Sequence, residues 1–195
     1  STAETFIKTY VPINPLTATN GKYGLWNGFL GMTNIIELVN RSSQAVTAQV
    51  NLFAIDGTLV SSNFFAVGGS AQQDVIVNSL AGFRADFYGI VQVSNNIDGR
   101  ILYYRPTGGG FENFEFVFGV PLSSPITGDS RVGFNTYQPS FDPADQGALV
   151  ANWLSIVNLS GSSKTFTVRK YDSAGSLIAQ SSQDVAAKSR VDIDG

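Results

Sequence analysis

Carboxylates are the side chains in this sequence with the plainest route to acid–base chemistry. The 195 residues include 15 Asp and Glu and 12 Lys and Arg, but no His and no Cys. A Ser-His-Asp triad or a Cys-His pair therefore cannot be built. The commonest general base and transition-metal ligand is missing as well. A serine–lysine dyad would need a lysine beside a distinctive serine, and nothing places Lys8, Lys22, Lys164, Lys170 or Lys188 near one. Glycoside hydrolysis needs two carboxyl groups flanking a sugar bond. Glu112, Glu115, Asp129, Asp142 and Asp145 are the candidates, yet no spacing among them singles out a pair. Glu115 alternates with Phe114, Phe116 and Phe118, which places it on a solvated face. Thr107 to Gly110 is Gly-rich, but no strand-to-helix context makes it a phosphate loop. The expectation is a protein without catalytic residues.

Binding chemistry has more candidates. The stretch 140–147 holds Asp142 and Asp145, and Asp129 lies on the same long connection. Together they suggest a modest calcium site, since Ca²⁺ takes six to eight oxygens. The same residues also suit ordinary turns. Tyr23, Tyr137 and Phe141 fall in predicted loops, where exposed rings offer a stacking platform for surface glycans. Asn40-Arg41-Ser42 and Asn158-Leu159-Ser160 match the N-glycosylation pattern. Equally, each Asn can bond its own backbone in a polar turn. The net charge of −3, without a Lys/Arg cluster, makes nucleic acid and anionic membrane poor partners. No run of about 18 apolar residues is present, so no helix inserts in a membrane. Charged residues make up 14%, against ~25% in typical domains. That neutral polar surface suggests an extracellular or cell-surface location, with any signal peptide already removed before Ser1.

These residues sit on a repeated scaffold. Asn34 to Val75 shifted by 118 positions lies on Asn152 to Ile193 without a gap, and ten positions are identical. They include Val39/Val157, Asn40/Asn158, Ser42/Ser160, Gly57/Gly175 and Asp74/Asp192. Such a match indicates one β-rich unit used twice. Residues 46–54 alternate cleanly, with Ala48, Val50, Leu52 and Ala54 on one face. Asp56-Gly57 marks a hairpin, followed by strands at 58–66 and 72–78. Residues 4–13 read as a strand, 14–24 as a loop, and 25–39 as one long strand or a bent pair. Residues 86–94 and 99–105 read as a further hairpin closed by Asp98-Gly99. No amphipathic helix appears. The expected fold is all-β, with two related antiparallel sandwich units, residues 1–110 and 111–195.

The second copy ends at Gly195, after its version of the 72–78 strand, and lacks a counterpart of the 86–105 hairpin. Unpaired edges are an aggregation hazard. Either the middle hairpin serves both halves, or another chain completes the second unit by strand addition. The first strand is a candidate donor, through Phe6, Ile7, Tyr10, Val11 and Ile13. The partner would then be a further copy of the same chain.

The repeated order is a strand ending in Val-Asn, a polar turn, an alternating strand, Asp-Gly or Ala-Gly, and another strand. This resembles the immunoglobulin-like and fibronectin-like sandwich modules of microbial surface proteins. The Cys…Trp…Cys signature of antibody domains is missing. What the resemblance implies is a stalk, adhesin or fibre subunit. The alternative is a carbohydrate-binding or adhesive module, with or without calcium.

Overall fold

The computed structural model describes residues 21–94, 96–107, 114–125, 153–172 and 174–194. The proposed donor strand 4–13 lies outside them. Every long element is a strand, and every pairing is antiparallel.

The first unit is a sandwich of two four-stranded sheets. One sheet holds β1 (Gly21–Asn27), β6 (Tyr88–Ser94), β3 (Val46–Ala54) and β4 (Leu59–Val67) in that order. The other holds β5 (Gln72–Ile76), β2 (Thr33–Val39), β7 (Asp98–Pro106) and β8 (Phe114–Pro121). Alternation sends Trp26, Ala48, Val50, Leu52, Val91 and Val93 inward from the first sheet. Ile36, Leu38, Val75, Ile101, Tyr103 and Val120 meet them from the second. Trp26 is buried and donates its indole N–H to the Phe53 carbonyl at 2.9 Å, so its polar edge is satisfied inside the core.

Several expectations change here. Of the two readings of the apolar run 25–39, the structure has the bent pair, with halves that join opposite sheets. The chain turns at Phe29–Gly31, where Leu30 (φ 59°) and Gly31 (φ 66°) take left-handed conformations. Residues 86–105 do not form a hairpin. β6 bonds β1 and β3, whereas β7 bonds β2 and β8, so the connection arches across the core with Ile97 buried beneath it. Both edges of each strand are thus paired within the first sandwich, so neither joins a sheet of the second half among the described residues. The sheet of the first unit also extends past residue 110. β8 falls beyond it, yet completes the first unit by pairing with β7. Just after β8, Ser123 exchanges two backbone bonds with Tyr23 at 2.9 and 3.0 Å, closing that side of the sandwich.

The second unit comprises β9 (Trp153–Val157), β10 (Lys164–Tyr171), β11 (Leu177–Val185) and β12 (Arg190–Asp194). These form two ribbons, β10–β11 and β9–β12, around Ile156, Phe166 and Val185. Residues 118 apart occupy matching places. Val46 pairs with Val67, and Lys164 with Val185. The bulge at Leu52/Phe53 recurs at Lys170/Tyr171. Gly57 and Gly175 both have φ 85°, a conformation that favours glycine.

The closest likeness is at the two Asn-x-Ser sites. Asn40 donates from Nδ2 towards the carbonyls of Gln44, Val67 and Gly68 at 2.7, 3.2 and 2.9 Å. Asn158 donates likewise to Ser162, Val185 and Ala186 at 2.8, 2.9 and 2.9 Å. In each, Oδ1 accepts from the backbone N–H and hydroxyl of the serine two residues on. Both asparagines are buried. A glycan on either Nδ2 would displace these bonds, and in the folded chain both motifs act as turn locks.

An ionic cluster ties the two sheets of the first unit. The Lys22 ammonium, on β1, donates to the Asp98 carboxylate at the start of β7, and Arg41 Nε lies 2.9 Å from the same carboxylate. The Lys22 hydrogen bond holds the Asp98 carboxyl below its ordinary range, against the opposing effect of burial, with the Lys22 and Arg41 charges adding to it.

Two predictions follow from these contacts. Asn40→Ala and Asn158→Ala should each lower stability by about 2 kcal/mol in urea unfolding, because each takes the side-chain donor from a buried carbonyl, that of Val67 or Val185, and from two partly buried ones. A loss below half a kilocalorie in both would show that the turns hold without them. For Asp98, the folded pKa lies below the unfolded value of about 3.9. Its stabilisation is therefore present above that pH and is lost as pH falls through the folded pKa. The unfolding temperature should hold from pH 8 to about 5 and drop below about 4. Asp98→Asn should lower the plateau and shrink that acid step, as thermal melts across pH would show.

Candidate functional site: the cleft between the two units

The two units meet along the outer face of β1 and β6 and the tip of the β3–β4 hairpin. Tyr23 and Ile90 from the first unit are buried with Val157 and Leu159 from the second, and Leu25 and Phe53 pack against them. The backbone N–H of Arg190 donates to the Ile55 carbonyl at 2.9 Å. A methyl group added to Gly57 would sit 2.7 Å from the carbonyls of Ala187 and Lys188, so the hairpin tip approaches this turn backbone to backbone.

Arg190 is the centre of the contact. It projects from β12 and is 9% exposed. Its Nε and Nη2 each lie 2.8 Å from an oxygen of Asp192, a bidentate pair. Its Nη1 reaches across to the carbonyls of Gly89 at 3.1 Å and Trp26 at 3.4 Å, while Nη2 also reaches the Ser155 hydroxyl at 3.4 Å. The guanidinium lies over the Tyr88 ring, 4.6 Å from its centroid. Burial raises the Tyr88 pKa, the negative charge of Asp192 adds to this, and Arg190 partly offsets it. One side chain from the second unit thus bonds two strands of the first.

Beside Arg190 lies a cavity of about 520 Å³. Aromatic rings of Tyr23, Phe29, Tyr88, Tyr103 and Phe118 line it, together with Asn27, Ser155, Arg190 and Asp192. Asp192 is the one carboxylate of that lining, and Arg190 already holds it. The arrangement suits packing and binding, and among the described residues the lining pairs its carboxylate with Arg190.

Of the ligand candidates read from the sequence, Tyr23 is in this cleft but not in a loop. It is a β1 residue, buried, and its hydroxyl accepts from Gln92 Nε2 at 2.9 Å. Tyr137, Phe141, Asp129, Asp142 and Asp145 lie outside the described residues, as do Phe6, Ile7, Tyr10, Val11 and Ile13. Among the described residues, no group of three or more acidic side chains could hold a metal ion. Arg190 and Tyr88 were not legible as site residues. Arg190 aligns with Gln72 in the repeat, and only Asp192, identical with Asp74, marked the place.

The second unit also presents strand edges. β2 is held between β5 and β7, and β3 between β4 and β6. Their counterparts β9 and β10 each pair on one side alone among the described residues.

No family model matches the chain, and no curated protein matches it. Among solved structures, the crystal structure of Thermotoga maritima 1070 superposes with a TM-score of 0.40 at 8% identity, covering 57% of this chain and 100% of that chain. A likeness so distant carries no inference about fold or function.

Replacing Arg190 tests the role of the cleft. Arg190→Met keeps much of the side-chain length but leaves Asp192 without its buried partner. It should cost about 3–5 kcal/mol, the usual penalty for breaking a buried pair. The second unit should then melt before the first, visible as a separate step in calorimetry. A single transition at the original temperature would show that the guanidinium is not what joins the units.

Proposed function

We propose that this chain is a non-enzymatic structural subunit of an extracellular surface or fibre, and that copies of it associate by strand donation. The observation that supports this reading is that β9 and β10 each pair with one strand alone among the described residues. In the first unit the matching strands are flanked on both sides. A two-stranded ribbon is marginal alone, and a third strand over an apolar face is the usual remedy. Phe166, Val168 and Leu154 supply that face. Added strands satisfy main-chain groups along the edge while alternate side chains fill the core. Residues 4–13 are the donor in this reading, since Ile7, Val11 and Ile13 share one face of an alternating segment. A neutral polar surface with 14% charged residues suits an extracellular setting.

Deleting residues 1–13 is the direct test. Light scattering of the whole protein should show mass rising with concentration, and the shortened chain should remain a monomer with unchanged circular dichroism. A whole chain that stays monomeric at millimolar concentration would refute the proposal.

A further inference from the structure

We propose that copies of this chain stack head to tail by repeating, between molecules, the contact that joins its own two units. The inference is independent of strand donation. It starts from the hairpin tip of the first unit, where Phe53 packs beside Leu159 and Gly57 lies against the turn at Ala187 and Lys188. Shifted by 118 residues, that tip becomes Tyr171, Gly175 and Leu177 at the end of β10 and β11. Among the described residues, nothing lies within 4 Å of where a Gly175 side chain would begin. Tyr171 and Leu177 form a cross-strand pair, and with Ile178 they are 55%, 54% and 66% exposed. Three large apolar side chains thus crowd the end of a two-stranded ribbon, a concentration that marks an interaction surface.

The surface such a tip would meet is present on every copy. The docking face of the second unit, at Val157 to Leu159 and Ala187 to Arg190, corresponds to Val39 to Arg41 and Gly69 to Gln72 of the first. That face is the outer end of β2 and β5, and β5 is an edge strand. Its turn is built alike: Ser70 and Lys188 have φ 52° and 54°, and each donates its backbone N–H to a matching serine carbonyl, Ser42 at 2.7 Å and Ser160 at 3.1 Å. Arg41, Gly69, Ser70 and Gln72 are exposed.

The side chains differ between the two contacts in a compensating way. Within the chain an aromatic ring, Phe53, packs with an aliphatic side chain, Leu159. Between chains the ring would be Tyr171 and the opposing residue Arg41, whose side chain is 78% exposed. A tyrosine face and a guanidinium attract each other, as Arg190 and Tyr88 already do in the cleft. The occupant of the exposed tip is therefore a second copy of this chain, at its β2–β5 end. Tip and face lie on different units, so the contact is heterologous and propagates as an open row.

The chain has no cysteine, which permits a clean thiol test. One protein carries Ala174→Cys at the tip, and a second, with a mass tag, carries Ser70→Cys on the face. Mixed and oxidised, they should give tip-to-face dimers in excess of tip–tip and face–face dimers combined on a non-reducing gel. Adding Tyr171→Asp to the tip protein should abolish the excess, while circular dichroism stays unchanged. Mixed dimers at or below the proportion given by random thiol pairing would overturn the proposal. So would an excess that survives Tyr171→Asp. Strand donation through residues 4–13 requires neither Tyr171 nor Ser70, so its failure would leave this result unmoved.

Discussion

A strand buried on one face must still place its backbone N–H and C=O groups on both edges. That constraint shapes this molecule more than any side chain does. In the first unit it is met on both flanks of β2, β3, β6 and β7, the four central strands. The outer strands are managed separately. β1 is tied to Ser123 by two backbone bonds, and β5 is short. The fully buried Ile36, Leu38, Val50 and Leu52 are consequences, because a strand flanked twice and covered by an opposing sheet has no route to water. The second unit obeys the same local rules, with β9 and β10 each flanked on one side among the described residues. Its central row is correspondingly less covered: Val168 is half-buried where Val50 is fully buried.

Local features were readable from the residues alone, while the assignment of strands to sheets was not. Alternation located 46–54, and Asp56-Gly57 located its turn, because both depend on neighbours in sequence. The stretch 86–105 shows what periodicity leaves out. Val91 and Val93 face the same core as Ile101 and Tyr103, and that is equally true of a hairpin and of an arch between facing sheets. Inward-facing residues report burial, whereas hydrogen-bond partners decide the sheet. Tyr23 was misplaced for a related reason. The Asn and Gly residues around it read as a loop, but Gly21 and Gly24 lie inside β1. A side chain at Gly24 would press on Leu122, so glycine there serves close approach, not a turn.

The asparagines illustrate how one motif supports two readings until burial decides. Asn40 and Asn158 each combine a strand end, a polar turn and a serine two residues on. Those features suit a glycan acceptor and a side chain folded onto its own backbone equally well. The decisive facts are long-range: Asn40 reaches Val67 and Gly68, 27 and 28 residues away, and Asn158 reaches Val185 and Ala186 over the same separations. Each lock therefore joins the end of one strand to the exit of another in the opposite sheet. Arg190 was harder to foresee, because its partners Trp26 and Gly89 lie more than a hundred residues back and offer only carbonyls, which every residue possesses.

The difference between the two copies bears on how the second can be covered. Ala48 is replaced by Phe166, whose ring fills space left by the thinner unit and helps bury Ile156 and Val185. Leu52, fully buried, is replaced by Lys170 on the same inward row as Phe166 and Val168. An inward-pointing charge is a known guard on a sheet edge, because a flat apolar strand laid over it must desolvate the ammonium. The guard is positional: Lys170 stands at the turn end of β10, beside the bulge at Tyr171. The apolar tip at Tyr171 and Leu177 lies just beyond that lysine. Lys170 therefore stands between two apolar surfaces of one ribbon, the inward row of Phe166 and Val168 and the exposed tip at Tyr171 and Leu177.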